Sequence, residues 1–227
     1  DYRYCWMRDA FFVVRARNRI GATRTMEEFI DYILSIAAGR SGGIKALYGI
    51  VHTDALDERT AEALPVYNGD GPVRIGNAAV GQNQPDVYGS VIMAAAPMFF
   101  DRRLPNPGDE SLFKVIEPLG EEAARLALEP DAGIWEYRGR KRVHTYSAAM
   151  CWAGCQRLGA IAAHLGLSER ASHWNAIAKR LGQEVLTRGW NDKRQAFSGA
   201  FGSDDLDASC LLLAEIGLIA PDDPRFI

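Results

Sequence analysis

Apolar residues recur at helical spacing in one segment of this chain after another, and this repetition constrains the fold most. Residues three and four positions apart share one face of an α-helix, so the spacing predicts a buried stripe on each segment. Glycine or proline follows several segments, as is typical of helix ends. The predicted helices are 9–20, 25–39, 85–100 with a kink or an earlier end at Pro97, 109–130, 145–165, 168–185 and one that begins within 207–216.

Between residues 41 and 76 the helical period is lost, which predicts a long connection between the second and third helices. Turn-forming pairs such as Asn68–Gly69 and Gly71–Pro72 interrupt it, and short β-like pieces lie near 47–51 and 73–75. Strand material is thus predicted only in connections. The element order therefore indicates an all-α array or a closed α/α toroid, with about seven helices present.

The composition is that of an ordinary globular protein, with 48% hydrophobic and 24% charged residues. The 227 residues are enough for one large domain. A net charge of −3, with a single basic cluster at 138–142, argues against a nucleic acid or a membrane surface as partner. The basic cluster is typical of a solvated loop. The longest apolar stretches, such as 91–100, are too short to span a bilayer.

Four cysteines are too few and too irregularly spaced for a disulfide scaffold. Cys151 and Cys155 lie four residues apart on an apolar helix pattern, a spacing that could ligate a metal, but no pair of histidines accompanies them. We therefore predict buried, reduced thiols, no metal and no cofactor. Reduced thiols favour a reducing compartment, such as the cytoplasm.

Glu136 is the first candidate for chemistry, because it follows Trp135 in a loop between a helix and the basic cluster. Glycoside hydrolysis needs one carboxyl group that protonates the leaving oxygen and a second carboxylate that delivers water or bonds to the sugar. Arg8 and Asp9 offer forked donors and acceptors for neighbouring hydroxyls. Trp6 and Trp135 offer flat faces for a sugar ring.

Each of these residues also has a purely structural interpretation. Arg8 and Asp9 could form a buried salt bridge, and the two tryptophans could belong to the core. Asp86 and Asp207 each precede or begin a predicted helix, where a carboxylate suits the helix N-terminus. His144 could orient the nearby glutamate or simply pack.

Six motifs, taken in order, span almost the whole chain. They are 1–10 (DYRYCWMRDA), 72–77 (PVRIGN), 84–89 (QPDVYG), 133–136 (GIWE), 146–152 (YSAAMCW) and 206–209 (LDAS). In this order they resemble the glucoamylase family, glycoside hydrolase family 15. The resemblance is to its bacterial branch, which includes glucoamylases, glucodextranases and trehalases.

The resemblance implies part of an (α/α)6 toroid of the six-hairpin glycosidase type, which removes glucose from a non-reducing end with inversion at the anomeric carbon. Glu136 matches the general acid of the family. The implied substrate-binding residues are Trp6, Arg8, Asp9, Gln84, Asp86 and Trp135. Of these, Arg8 and Asp9 match the pair that holds the terminal glucose, and the transfer for Gln84 and Asp86 rests on their place in the pocket-edge segment.

The chain opens at Asp1 without an initiator Met and stops at Ile227 after a helix start signal, so we expect residues 1–227 to be part of a catalytic domain truncated at both ends. The family's general base is a glutamate in the second half of the toroid, which we expect to lie beyond residue 227. The main hypothesis is a glucoamylase-like, exo-acting hydrolase of α-glucan oligosaccharides. An α,α-trehalase that takes a disaccharide is the nearest alternative. A catalytically inactive toroid that binds glycans is an alternative of another class. A zinc-dependent toroid would need a Cys/His triad, which Cys151 and Cys155 do not supply.

Overall fold

The computed structural model describes residues 3–38, 43–51 and 55–226. Ala96 alone separates the third helix from the fourth, so the two form one segment kinked at Pro97, as predicted. The described residues then contain about seven helical segments, which confirms the prediction. The helices are α1 (Met7–Arg19), α2 (Thr23–Ala38), α3 (Asp86–Ala95), α4 (Pro97–Phe100), α5 (Glu110–Leu126), α6 (Thr145–His164), α7 (Ser168–Arg188) and α8 (Leu212–Glu215).

The helices pair into hairpins that form two layers. Helix α1 packs on α2, α3 on α5, and α6 on α7. Helix α3 also contacts both α1 and α6, while α2 contacts α5. This arrangement of an inner row covered by an outer row is the one expected for part of an α/α toroid.

In the described part of the chain, strands lie in the connections, as predicted, and also in one segment that precedes the first helix. They form three antiparallel pairs: β1 (Tyr4–Trp6) with β2 (Leu47–Gly49), β3 (Arg59–Thr60) with β4 (Arg74–Ile75), and β5 (Trp190–Asn191) with β6 (Ala196–Phe197). The first pair matters most for the site, because Trp6 lies opposite Leu47 and the chain passes directly from β1 into α1.

Small residues let the inner helices approach closely. A Cβ atom on Gly89 of α3 would overlap the carbonyl oxygen of Met150 on α6, and one on Gly154 would lie 3.0 Å from the Cα atom of Gly89. Ala149 and Ala153 of α6 are fully buried. The close helix contacts predicted from the small residues of α6 are therefore confirmed.

Several helix ends differ from the sequence prediction. Helix α2 begins at Thr23, so Thr25, predicted as its N-cap, lies inside the helix. Helix α5 ends at Leu126, earlier than Pro130 indicated, because the chain turns there with the Glu129 amide donating to the Leu126 carbonyl. The predicted end of the second helix at residue 39, the motif residues 1–2, and residues 40–42 and 52–54 of the connection lie outside the described residues.

The predicted cap at Asp109 is confirmed, and the one at Asp207 is found on a 3-10 turn that precedes α8. Asp109 accepts a hydrogen bond from the Leu112 amide at 3.0 Å, at the start of α5. Asp207 accepts one from the Ser209 amide at 2.8 Å, ahead of a short 3-10 turn that leads into α8. Both carboxylates satisfy an amide that the helix itself leaves without an acceptor.

Cys151 and Cys155 are buried free thiols, as predicted. Burial raises the pKa of the Cys155 thiol to about 12, so it is uncharged. Within the described ranges, no three metal-ligating side chains are grouped, and no helix is both long and apolar enough to cross a bilayer.

Candidate active site

A pocket of about 560 Å³ opens where β1 meets α1. Three distant segments contribute to its wall: the β1–α1 junction, the end of the long connection, and the loop between α5 and α6. The lining residues are Trp6, Arg8, Asp9, Phe12, Asn77, Ile134, Trp135 and Glu136.

The β1–α1 junction places Trp6 at the end of the strand and Arg8 and Asp9 on the first turn of the helix. Trp6 is extended and precedes the helix, and the Met7 amide donates to the Ala46 carbonyl of the connection at 2.9 Å. Arg8 then points into the protein, with 6% of its surface exposed, whereas Asp9 is exposed in the pocket. Successive helix positions differ by about 100°, which separates the two side chains.

Glu136 lies at the end of a tight turn with an unusual backbone conformation. The Glu136 amide donates to the Gly133 carbonyl at 3.1 Å, and the Tyr137 amide donates to Ala132 at 2.9 Å. Gly133 has φ +69, and Glu136 itself has φ +56. Residues other than glycine seldom adopt positive φ, and such strain is often found at functional positions.

Three side chains converge on one oxygen of the Glu136 carboxylate. Trp6 Nε1 donates to Oε1 at 2.8 Å, Gln84 Nε2 donates to it at 3.2 Å, and Arg8 Nη2 lies 3.5 Å away. The Glu136 side chain retains 25% of its exposure. In the described part of the chain, all of these contacts end at Oε1, and none of them engages Oε2.

Arg8 connects the three segments behind the pocket. Its Nη1 donates to Asp86 Oδ2 at 2.7 Å and to Gln84 Oε1 at 3.0 Å, and its Nη2 donates to the Ile134 carbonyl at 3.2 Å. Burial alone would lower the pKa of Arg8, but the charge and hydrogen bond of Asp86, with Glu136 nearby, raise it. The buried Arg8–Asp9 salt bridge considered above is therefore wrong, because the buried partner of Arg8 is Asp86.

The residues predicted to bind substrate fall into two groups. Trp6, Arg8, Asp9 and Trp135 line the pocket together with Glu136. Gln84 and Asp86 do not line it: they are 3% and 0% exposed and lie behind the wall, against Arg8.

The two tryptophans differ in their relation to the hydrophobic core. Trp135 is 55% exposed, and its Nε1 donates to Asp207 Oδ2 at 2.7 Å. Trp6 is half-buried and contacts Glu136. The interpretation as a core aromatic is thus wrong for Trp135, whereas Trp6 packs against the hydrophobic core and also contacts Glu136. Asp207 binds the Trp135 indole and also caps the turn that leads into α8.

Sequence reasoning did not single out Asp131 as an anchor. Its Oδ1 accepts hydrogen bonds from the Gly133 amide at 2.6 Å and from Ser147 Oγ at 2.9 Å, and its backbone pairs with Arg142. Burial raises its pKa to about 7, although these donors oppose the shift. An Asp two residues before a glycine in a turn is typical of an Asx-turn, so the sequence contained a local signal.

His144 supports the turn by packing. Its ring stacks on Tyr137 with a centroid distance of 5.8 Å, and a Cβ atom on Gly133 would lie 2.9 Å from it. Burial lowers the pKa of His144, which favours the neutral ring. Of the two interpretations of His144, the described contacts favour packing over a hydrogen bond to Glu136.

Two polar residues of the connection also reach the Glu136 loop, and neither was predicted. Gln82 Nε2 donates to the Glu136 carbonyl at 3.1 Å. Glu58 accepts two hydrogen bonds from Arg138, at 2.9 and 2.8 Å, and these lower the pKa of Glu58 to about 2. Part of the basic cluster is therefore paired with an acid and is not simply solvated.

Known proteins share both the sequence and the fold of this chain. The family described as Glycosyl hydrolases family 15 matches residues 1–227. A trehalase of Mycolicibacterium smegmatis is 33% identical over 99% of the chain, which spans 34% of that protein. A trehalase of Thermoplasma acidophilum is 34% identical over all of the chain, which spans 38% of it. The chain thus covers little more than a third of these two relatives.

Two solved structures of glycosidase variants, each with a glutamate replaced by alanine, have the same fold. One is in complex with glucose. The TM-score is 0.73 for both, at 19% and 18% identity, and each match covers 99% of this chain and 58% of the other. The likeness shows the fold, and the paired helices are part of an (α/α)6 toroid of the six-hairpin glycosidase type.

Proposed function

The chain belongs to glycosyl hydrolase family 15, and we propose that the protein that carries it hydrolyses α,α-trehalose into two glucose molecules. One observation supports this most: Glu136 presents one carboxyl oxygen to a pocket whose walls include Trp6 and Trp135, while Trp6 and Gln84 hold its other oxygen. The choice of trehalose rests on the relatives named trehalase that match the whole chain.

In the proposed reaction, Glu136 acts as general acid. Its carboxyl proton passes to the glycosidic oxygen as the bond from that oxygen to the anomeric carbon breaks. A water molecule attacks the same carbon from the opposite face, and its proton passes to a carboxylate base. One trehalose and one water thus give two glucose molecules. We assign no residue of this chain to the base, which the family resemblance expects in the second half of the toroid.

Asp9 and Arg8 would hold the glucose whose bond is broken. The exposed Asp9 carboxylate can accept hydrogen bonds from two neighbouring hydroxyls. A guanidinium has five N–H donors. Three of those in Arg8 bind acceptors within the protein: Gln84, Asp86 and the Ile134 carbonyl. The remaining donors are the ones proposed for substrate. Trp6 and Trp135 would flank the ring, and Asp86 would act through Arg8.

A glucoamylase-like hydrolase of α-glucans is the second candidate. The six sequence motifs favour it as much as they favour a trehalase, because both substrates end in an α-linked glucose that would occupy the same site. The two functions differ in the part of the pocket that binds the sugar on the leaving-group side of the cleaved bond. The names of the relatives favour trehalase over this original hypothesis.

The decisive experiment is a substrate comparison with the intact protein. Trehalose, maltose, isomaltose and soluble starch are incubated separately, and released glucose is measured. We expect trehalose to be cleaved with the highest kcat/KM. Preference for maltose or starch would contradict the trehalase assignment and favour the second candidate, whereas no cleavage of any substrate would favour a glycan-binding protein.

The same assay tests the role of Glu136 and the stereochemistry. Glu136→Gln keeps the shape of the side chain but cannot supply the proton, so kcat should fall by about 10² to 10⁴-fold while KM changes little. For wild type, ¹H NMR of fresh products from trehalose should show α- and β-glucose in equal amounts, since only the attacked carbon inverts. Near-normal turnover by Glu136→Gln would refute the acid assignment, and release of α-glucose alone would refute inversion.

A further inference from the structure

Gln84 contacts the Glu136 carboxylate directly. The family resemblance had implied that Gln84 binds substrate. It is 3% exposed and is not among the residues that line the pocket. Its amide makes three hydrogen bonds inside the protein: Oε1 accepts from Arg8 at 3.0 Å, and Nε2 donates to Glu136 Oε1 at 3.2 Å and to Gln82 Oε1 at 3.0 Å. The described contacts therefore use both N–H groups and the carbonyl oxygen.

Chemistry fixes the orientation of this amide. A guanidinium can only donate hydrogen bonds, so the oxygen of Gln84 must face Arg8. Its NH2 group then faces two acceptors, the Glu136 carboxylate and the Gln82 side-chain oxygen. Reversing the amide would place donor against donor and acceptor against acceptor. Gln84 is thereby held in one arrangement, with an N–H directed at Glu136.

The hydrogen bonds also decide which oxygen of Glu136 can carry a proton. Oε1 already faces N–H donors from Trp6 and Gln84, with the Arg8 cation at 3.5 Å. A proton on Oε1 would face the hydrogens of these donors and be repelled by them, whereas a proton on Oε2 would not. The acidic hydrogen therefore belongs on Oε2, the oxygen that remains for a ligand.

We propose that Gln84 is a positioning residue for the general acid: with Trp6 it holds Oε1 of Glu136 and so directs the catalytic proton on Oε2 toward the glycosidic oxygen. This inference rests on the proposed function. Gln82 assists from the other side, because its amide binds the Glu136 carbonyl while its oxygen accepts from Gln84. The two glutamines thus hold the strained residue by its backbone and by its side chain.

The charged groups around Glu136 define what a new charge at Gln84 would do. Arg8 lies 3.5 Å from Oε1, and Asp86 lies behind Arg8. Arg138 interacts electrostatically with Glu136 from the same loop, and Asp9 shares the pocket. In Gln84→Glu, one new oxygen can keep the Arg8 contact, while the other replaces an N–H donor with an oxygen that faces Glu136 Oε1. The two adjacent carboxyl groups would then share one proton, and the apparent pKa for loss of that proton would be higher than in wild type.

The kinetic test compares Gln84→Glu with wild type in the intact protein, on the glucoside that wild type cleaves best. The alkaline limb of the kcat/KM profile should move to higher pH by about one unit or more, because proton sharing delays ionisation of the pair. KM should stay within about threefold, since Gln84 does not touch substrate. Gln156→Glu, the same change at an exposed position of α6, serves as control and should leave the profile unchanged.

A rise in KM with an unmoved alkaline limb would overturn the proposal and make Gln84 a substrate contact. Gln84→Met serves as a second variant that adds no charge. It keeps the volume but removes the donor to Glu136 and the acceptor for Arg8, so kcat should fall by roughly 10-fold or more. KM should change little, because Asp86 and the Ile134 carbonyl still hold Arg8 in place. Unchanged kcat in that variant would equally overturn the proposal.

A spectroscopic readout separates this proposal from the proposed function. The Trp6 indole N–H binds Glu136 directly, so its ¹H–¹⁵N resonance should follow ionisation of that carboxyl group. Assignment is made by loss of the signal in Trp6→Phe. Its titration midpoint should move upward in Gln84→Glu and not in Gln156→Glu. If the titration midpoint does not move, positioning by Gln84 is refuted, whether or not the protein cleaves a glucoside. If the midpoint moves but none of the substrates is cleaved, only the enzymatic assignment is refuted.

Discussion

Glu136 holds its position through a backbone conformation that its side chain does not favour. A non-glycine residue at φ +56 costs about 1–3 kcal/mol, and surrounding contacts must offset this cost. Here the contacts come from Gln82, Gln84 and Trp6, which are 54, 52 and 130 residues away in sequence. The motif around Glu136 could be recognised from the sequence, but its supporting contacts could not, because they depend on tertiary structure.

Asp131 gives the first prediction at the residue scale. It is 1% exposed, and burial raises its pKa to about 7, whereas an unfolded Asp has a pKa near 4. Between these values the folded protein binds a proton that the unfolded chain does not. Asp131 therefore contributes stability that is fully present below about pH 4 and is lost as the pH rises toward 7. In Asp131→Asn this contribution to the pH dependence should disappear.

The measurement is urea unfolding of the intact protein at pH values from 4 to 8. The free energy of unfolding of wild type should fall relative to that of Asp131→Asn across this range, by about 1.4 kcal/mol for each unit of pKa difference. Asp222→Asn, at an exposed position, is the control and should run parallel to wild type. Parallel curves for wild type and Asp131→Asn would show that the pKa of Asp131 is the same in the folded and unfolded states.

At the scale of elements, the loop between α5 and α6 is fixed at several points. Its base is closed by the Asp131–Arg142 backbone pair, and its far side is bound by the two hydrogen bonds between Arg138 and Glu58. Glu58 belongs to the long connection after α2, so the connection and the loop support each other. The sequence predicted both segments as irregular. The ion pair between them could not be predicted, because hydrophobic periodicity does not indicate which charged side chains of two loops will be in contact.

Gly133 and Gly139 offer a matched pair of substitutions in this loop. Both have positive φ, +69 and +72, so replacement by alanine imposes a similar backbone cost on each. A Cβ atom on Gly133 would also lie 2.9 Å from the His144 ring, whereas one on Gly139 meets nothing within 4 Å. Gly133→Ala should therefore be less stable than Gly139→Ala by about 1–3 kcal/mol and should lower kcat/KM more.

Thermal unfolding and glucoside hydrolysis of both variants test this expectation. The Gly139→Ala variant reports the cost of positive φ alone, so only the difference between the two is interpreted. Equal losses of stability and activity would mean that the His144 ring moves freely and does not support the turn that holds Glu136.

At the scale of the whole molecule, the pocket depends on how closely the inner helices pack. Gly89 begins the second turn of α3, only three residues after the Asp86 that binds Arg8, and its backbone rests on that of Met150 in α6. A change in the spacing of α3 and α6 would therefore move Asp86 and, through Arg8, the loop that carries Glu136.

Gly89→Ala should consequently be among the most damaging small substitutions. Its added methyl group would overlap backbone atoms of Met150, which cannot move without displacing α6. In Gly159→Ala, a change in α6, the methyl group would meet the side-chain oxygen of Asn175, which can rotate away. We expect Gly89→Ala to lose about 3 kcal/mol or more and Gly159→Ala much less, since alanine also favours helix by about 1 kcal/mol.

Chemical denaturation of the two variants, with far-ultraviolet circular dichroism as the signal, measures this difference. If Gly89→Ala folds as stably as Gly159→Ala, the close backbone contact between α3 and α6 does not govern packing. If it folds but loses hydrolytic activity, the spacing of the inner helices acts on the pocket through Asp86 and Arg8.

The sequence by itself determined the helical class, the kink at Pro97, two helix caps and the motifs that hold Glu136, Arg8 and Asp9. These follow from interactions within a few residues or from a pattern that a family shares. Tertiary structure alone decided that Arg8 pairs with Asp86 and not Asp9, that Gln84 lies behind the pocket wall, and that Oε1 of Glu136 is held while Oε2 is left for a ligand. The physical reason is that these hydrogen bonds and this burial depend on which distant segments come into contact. The local periodicity of the sequence does not specify those contacts.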